Sequence, residues 1–163
     1  MRLILKGRLS LRFTIMVLSF GICLTVSGQS KYIKEHKPLA DSLADVFEIP
    51  SAIILGVAIL ESSSGKSQSC RLLHNHFGII GKNSLYKRKR LKSPYKQYIN
   101  DDASYIDFCK LIAKRKFYKK IKGKMNNVLW ADAISKSAYS EAPETWKHRL
   151  LHLIKKNKLS NNH

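Results

Sequence analysis

Pro50-Ser51-Ala52-Ile53-Ile54-Leu55-Gly56-Val57-Ala58-Ile59-Leu60-Glu61-Ser62-Ser63-Ser64-Gly65-Lys66-Ser67 is the stretch on which the fold turns. From Ala52 to Leu60 every residue is apolar or Gly, which describes a helix buried on all sides rather than an amphipathic surface helix. Pro50 suits a helix start, because the first turn does not need its missing N–H. The Ser/Gly run over 62–65 ends the helix. Glu61 therefore stands at the C-terminal end of an all-apolar helix. A carboxylate half-buried there loses hydration, and the negative end of the helix dipole acts in the same direction, so its pKa is expected to rise. A carboxyl group kept protonated near neutral pH can protonate the leaving oxygen of a sugar linkage. The alternative is a Glu that only marks the helix end and faces solvent.

Working outward, the rest of the chain reads as one mostly helical domain. Its 163 residues carry 30 Lys+Arg against 11 Asp+Glu, a formal net charge of +19. That excess calls for a polyanionic partner: nucleic acid, an anionic membrane surface or an acidic wall polymer. Arg2, Lys6, Arg8 and Arg12 precede an apolar run from Phe13 to Val26, which ends in small residues at Val26-Ser27-Gly28. A basic head, a short apolar run and a small-residue exit make a secretory signal peptide over 1–28. A bilayer span needs ~20 apolar residues, so a membrane anchor is the minor alternative. Cleavage near Gly28 leaves a domain over 29–163 that still carries +15, since the leader holds four cations and no acid. Apolar residues at helical spacing predict a helix over 31–47, broken at Ile49-Pro50. Further helices are expected around Tyr105–Ile112, over 129–138, and from Pro143 through Ile154. Gly78, Gly81 and Pro94 mark 77–99 as loops with a small hairpin. Cys70 and Cys109 are left to form one disulfide or to pack as two separate thiols. His74 and His76 are two apart, which suits no zinc motif, and neither a metal nor another cofactor is expected.

The 50–67 stretch resembles the "PS-(apolar run)-LESxxGxS" segment of bacterial glucosaminidases, the peptidoglycan hydrolases of glycoside hydrolase family 73. Asn75-His76-Phe77-Gly78-Ile79 resembles that family's "NNxFGIK". Tyr98 followed by Asp101-Asp102-Ala103-Ser104-Tyr105-Ile106-Asp107-Phe108 is similar to its "Y-x-s-x-e-x-S-x-x-D-Y" stretch. Ala138-Tyr139-Ser140 stands where the family has "GYAT", and Pro143 with Trp146 where it has "P-x-Y". Any one of these segments is weak, but the ordered set spans residues 32 to about 156.

The resemblance implies a mainly α, lysozyme-like α+β fold with a small β-hairpin lobe. It also implies a peptidoglycan hydrolase that cuts the β-1,4 bond after N-acetylglucosamine, with Glu61 as general acid. By the same resemblance Tyr139 lies near the cleaved sugar, and Asn75, His76, Phe77, Gly78 and Tyr98 line the substrate cleft. Packing roles are the alternative for Phe77, Tyr98 and Tyr139. Ile80 replaces the family's basic residue and Ala138 its Gly, and 82–100 contains no carboxylate. A second catalytic acid would have to be Asp101 or Asp102; otherwise the substrate's own 2-acetamido group assists. The expected partners are peptidoglycan glycan strands and an anionic wall or envelope surface, met by a secreted or periplasmic monomer. The basic segment Lys87-Arg88-Lys89-Arg90 is assigned to that surface. A catalytically weak wall-binding module, and a secreted nucleic-acid or membrane-surface binder, are the competing classes.

Overall fold

The all-apolar segment forms a helix surrounded by others. In the computed structural model, which describes residues 8–139 and 141–159 and gives backbone alone for 8–27 and Ala138, α2 (Ser51–Ser62) is buried from Ser51 to Ile59. It packs against α1 (Arg8–Phe47), α5 (Asp101–Ala113), α7 (Asn127–Ile134) and α8 (Pro143–Lys156). Short helices α3 (Gln68–Leu73), α4 (Leu85–Lys89) and α6 (Tyr118–Ile121) fill the connections, and a π-helical turn, Ser135–Tyr139, continues α7. The fold is mainly helical, as expected.

Each boundary has a local cause. Glu48 turns to φ 50°, closing α1 at Phe47, and Pro50 caps α2 just outside its first turn. Ser63, at φ 52°, is the left-handed cap of α2. Asn100 and Asn126 accept the Ala103 and Leu129 N–H groups at the starts of α5 and α7, satisfying donors that have no partner within the helix. Pro143 begins α8, where its ring costs nothing. α1 begins well upstream of the expected Lys31, at Arg8. The expected signal peptide over 1–28 falls largely outside the described side chains, as does Ser140. Among the described residues no helix is long and apolar enough to cross a membrane.

The expected hairpin over 77–99 is represented, among the described residues, by a single antiparallel bridge, Ile80 to Tyr95. Backbone bonds still join its two arms: the N–H groups of Gly81, Lys96 and Gln97 donate to the carbonyls of Pro94, Ile79 and Lys82. Amide side chains brace the same arms. The Asn83 Nδ2 donates to the carbonyls of Ser93 and Tyr95, and the Asn75 Nδ2 donates to those of Ile79 and Lys96. Cys70 and Cys109 are both buried free thiols, so the separate-thiol alternative holds.

Gly56 sits where α8 crosses α2. A Cβ there would lie 3.0 Å from both Ile154 Cγ1 and Leu150 Cδ1. A larger side chain must push α8 outward in a close-packed core. Gly56→Val is expected to lower unfolding stability by about 1–3 kcal/mol in urea melts, and an unchanged midpoint would show that α8 yields freely.

Candidate active site

Burial of α2 dictates where Glu61 ends up. It is the last acidic position before the helix emerges, and it is half-buried while Ile59 and Ser62 on either side are buried. Its Oε1 accepts a 2.7 Å hydrogen bond from the Trp146 indole N–H of α8. Burial raises the Glu61 pKa, against the Trp146 bond and the Arg149 charge, which lower it. Indole nitrogen only donates, so Oε1 must be the acceptor oxygen, and the proton of the neutral acid belongs on Oε2.

Oε2 faces backbone. Gly78 has φ +66°, and a Cβ built on it would lie 3.9 Å from both Glu61 Oε2 and the Tyr95 ring. A side chain at 78 would be strained at that φ and would stand in front of the acid. Asn75 holds the segment in place: fully buried, its Oδ1 accepts from the Phe77 and Ile79 N–H groups while its Nδ2 closes the two carbonyls named above. Its side chain acts on the loop backbone and has no spare group for a ligand.

The other expected residues divide between this site and a second cluster. The Phe77 ring is buried and stacked on Phe108 at 4.2 Å, so its backbone is what borders the site. Tyr139, placed by the π-helical turn, donates from its hydroxyl to the Phe77 carbonyl at 2.9 Å and packs its ring 5.5 Å from Trp146. Burial, then the Glu61 charge, holds its pKa well above the usual range. Tyr98 is buried and donates to Asp107, which Lys96 also holds; it ties the lobe to α5. His76 points into a different group, where its Nε2 lies 3.1 Å from Asp101 and its Nδ1 2.6 Å from the Tyr32 hydroxyl. Asp102 is exposed in the first turn of α5, and it is not among the groups that act on Glu61. Among the described residues, the groups bearing on the Glu61 carboxyl are Trp146, Arg149, Tyr139 and the Gly78 backbone.

Three of the site's groups carry no role in the sequence reading. Trp146 enters it only as a motif position. The 143–154 helical pattern also puts Arg149 one turn away on the same face, a spacing that flags both. Tyr95, about one-third exposed beside Gly78, is an available ring surface that no spacing in the sequence ties to Glu61.

The family model for glucosaminidases, described as mannosyl-glycoprotein endo-beta-N-acetylglucosaminidase, matches residues 37–159. Among solved structures the chain is similar to the catalytic domain of the autolysin Auto from Listeria monocytogenes, with TM-score 0.68 and 18% identity over 82% of this chain and 86% of that one. It is also similar to a peptidoglycan hydrolase mutant from Sphingomonas sp. A1, with TM-score 0.62 and 19% identity over 80% and 95%. A third likeness is to a type VI secretion system effector-immunity complex from Pseudomonas protegens, with TM-score 0.59 and 16% identity over 82% and 95%. At these identities the likeness is one of fold. No curated protein sequence matches the chain.

The raised Glu61 pKa has a signed effect on stability. Above the ordinary Glu value of 4.5, the folded chain holds this proton more tightly than the unfolded one, so stability falls as pH rises until the folded-state pKa is passed. Gln at this position keeps an oxygen for Trp146 and has no proton to lose. Glu61→Gln is expected to gain thermal stability over wild type as pH rises from 4.5. Parallel melting profiles from acid to neutral pH would remove the burial argument.

Proposed function

Because the chain belongs to the glucosaminidase family of glycoside hydrolases, we propose that it is a secreted enzyme cleaving the β-1,4 bond between N-acetylglucosamine and N-acetylmuramic acid in peptidoglycan strands. The observation that carries this reading is the Glu61 carboxyl, half-buried, held through one oxygen by Trp146 and facing bare backbone with the other. In that geometry Oε2 delivers its proton to the leaving glycosidic oxygen. The carboxylate that remains keeps the Trp146 N–H and the Arg149 charge. It then takes a proton from the water that completes hydrolysis. The peptidoglycan substrate is supported by the similarity to an autolysin catalytic domain and a peptidoglycan hydrolase.

The second group is supplied by the substrate. The side chains that act on the Glu61 carboxyl, Trp146 and Arg149, include no second carboxylate among the described residues. The carbonyl oxygen of the 2-acetamido group attacks the anomeric carbon as the bond to the leaving oxygen breaks, forming a cyclic intermediate that water reopens. Tyr139 suits this route. Its hydroxyl proton is committed to the Phe77 carbonyl, which leaves its oxygen lone pairs to accept the acetamide N–H.

The basic face supports the envelope assignment. Lys87, Arg88, Lys89 and Arg90 are all exposed, on and just after α4. Their attraction to an anionic wall is long-ranged and weakened by salt. Secretion rests on the basic and apolar leader.

Digestion of purified peptidoglycan, with mass analysis of the fragments, tests the reading. Wild type is expected to release fragments with new reducing-end N-acetylglucosamine, Glu61→Gln to release none, and retention on the pelleted wall to drop at high salt. Equal cleavage by both proteins removes Glu61 from the chemistry. Anhydro-sugar ends would make the enzyme a lytic transglycosylase, and tight sedimentation without cleavage a binding module.

Trp146→Phe probes the proton's location. Losing the indole donor removes an influence that lowers the Glu61 pKa, so the alkaline limb of the pH–rate profile is expected to move upward. Turnover should fall roughly tenfold, the worth of one charge-assisted hydrogen bond. An alkaline limb that stays in place or moves down would show that Trp146 does not act on the acid.

A further inference from the structure

We propose that His36, His76 and Asp101 form a binding site for a first-row divalent cation, zinc by preference, in the cavity between α1, α3 and the start of α5. The three side chains come from three segments, and one donor atom from each lies within 4.8 Å of the other two. Zinc bonds of about 2.0–2.2 Å in a tetrahedral site place donors roughly 3.3–3.5 Å apart. His76 Nε2 and Asp101 Oδ1 lie 3.1 Å apart, a few tenths of an ångström inside that spacing, and an ion would displace the 2.7 Å contact that the same oxygen makes with His74 Nδ1. His36 closes the remainder by rotation of its ring. A cavity of about 360 Å3 lies at this point, lined by all three groups, and provides an entry path and room for a water ligand.

His36 is the independent observation. It is only 8% exposed, and its ring packs on Tyr105 and against Tyr32 and His76. Among the described residues no hydrogen bond reaches its nitrogens, whereas every fully buried side-chain N or O atom has a partner. Its nitrogens must therefore open on the cavity that it lines. A buried imidazole that lines a solvent-open cavity with no hydrogen-bond partner of its own has a ring nitrogen free to coordinate.

The supporting residues fit as well. Metal-bound histidines usually hold their second nitrogen in a hydrogen bond that fixes the ring. His76 Nδ1 lies 2.6 Å from the Tyr32 hydroxyl, which in turn lies 2.9 Å from that of Tyr105. Without metal, the His76 Nε2–H faces Asp101. When Nε2 coordinates, the ring proton sits on Nδ1 and donates a hydrogen bond to the Tyr32 oxygen, whose own O–H turns to Tyr105, so the imidazole stays neutral. Two imidazoles with one carboxylate favour zinc over the hard cations magnesium and calcium. The bound ion would tie α1 and α5 to the residue preceding Phe77 and Gly78. This inference stands apart from the glycosidase reading.

Zinc titration of the chain by calorimetry, with thermal melts in EDTA and in zinc sulfate, tests it. One zinc per chain is expected, with a higher melting temperature in zinc, and cobalt in its place should give the visible absorption of a four-coordinate site. His36→Asn and Asp101→Asn should each weaken binding at least tenfold and abolish the thermal gain. The surface pair His148 and His152, one helical turn apart on α8, is the obvious adventitious site, so His148→Ala with His152→Ala should leave binding intact. EDTA melts show whether each variant folds, and the near-isosteric Asp101→Asn decides if His36→Asn does not. Absence of saturable zinc uptake, uptake unchanged in Asp101→Asn, or uptake lost with His148 and His152 would each overturn the site.

Discussion

Enclosure of α2 is the constraint on which the rest of the molecule depends. A helix with apolar residues on every face cannot leave any face in water, so α1, α5, α7 and α8 must close around it. Side-chain volume is limited where they meet, which is why Gly56 lies under Ile154 and Leu150. The same enclosure governs protonation. Glu61 lies where α2 leaves the core, and it cannot escape the partial dehydration that raises its pKa. Burial and charge are opposed at this residue: whatever made it comfortable as a carboxylate would also have to open the end of α2 to water.

The segment from Asn75 to Gly78 divides the polar interior in two. Asn75 binds the loop to itself, His76 turns toward Tyr32 and Asp101, Phe77 plugs the core, and Gly78 bares its backbone to Glu61. Four consecutive residues thus serve four environments. Tyr139 joins them to the last helices by holding the Phe77 carbonyl. A π-helical turn carries that tyrosine, and such wide turns often aim a side chain at a functional place.

Much of this was legible in the sequence, for physical reasons. The composition of residues 52–60 allowed only full burial, and a Glu at the end of such a helix could not be fully hydrated. Pro50 and Pro143 marked helix starts because proline has few other places to stand. The extent of the hairpin was not legible, because Gly and Pro show where a chain turns but not how many backbone groups pair across the turn; among the described residues one bridge, Ile80 to Tyr95, forms. Trp146 was underrated because its partner lies 85 positions away. Linear spacing could not reveal the meeting of His36, His76 and Asp101, since three separate segments converge there only after folding.

The lobe over 77–99 has a consequence for how such a protein can change. A β-ladder fixes its strands residue by residue, and one insertion shifts every later pair. Here pairing is confined to the short arms 79–82 and 94–97, and two amide side chains, Asn75 and Asn83, brace it from beside them. Leu85 is buried, whereas the mostly charged residues 86–92 between the arms are exposed. A change of length within 86–92 would therefore be taken up in solvent, with the braced arms standing between it and the backbone opposite Glu61.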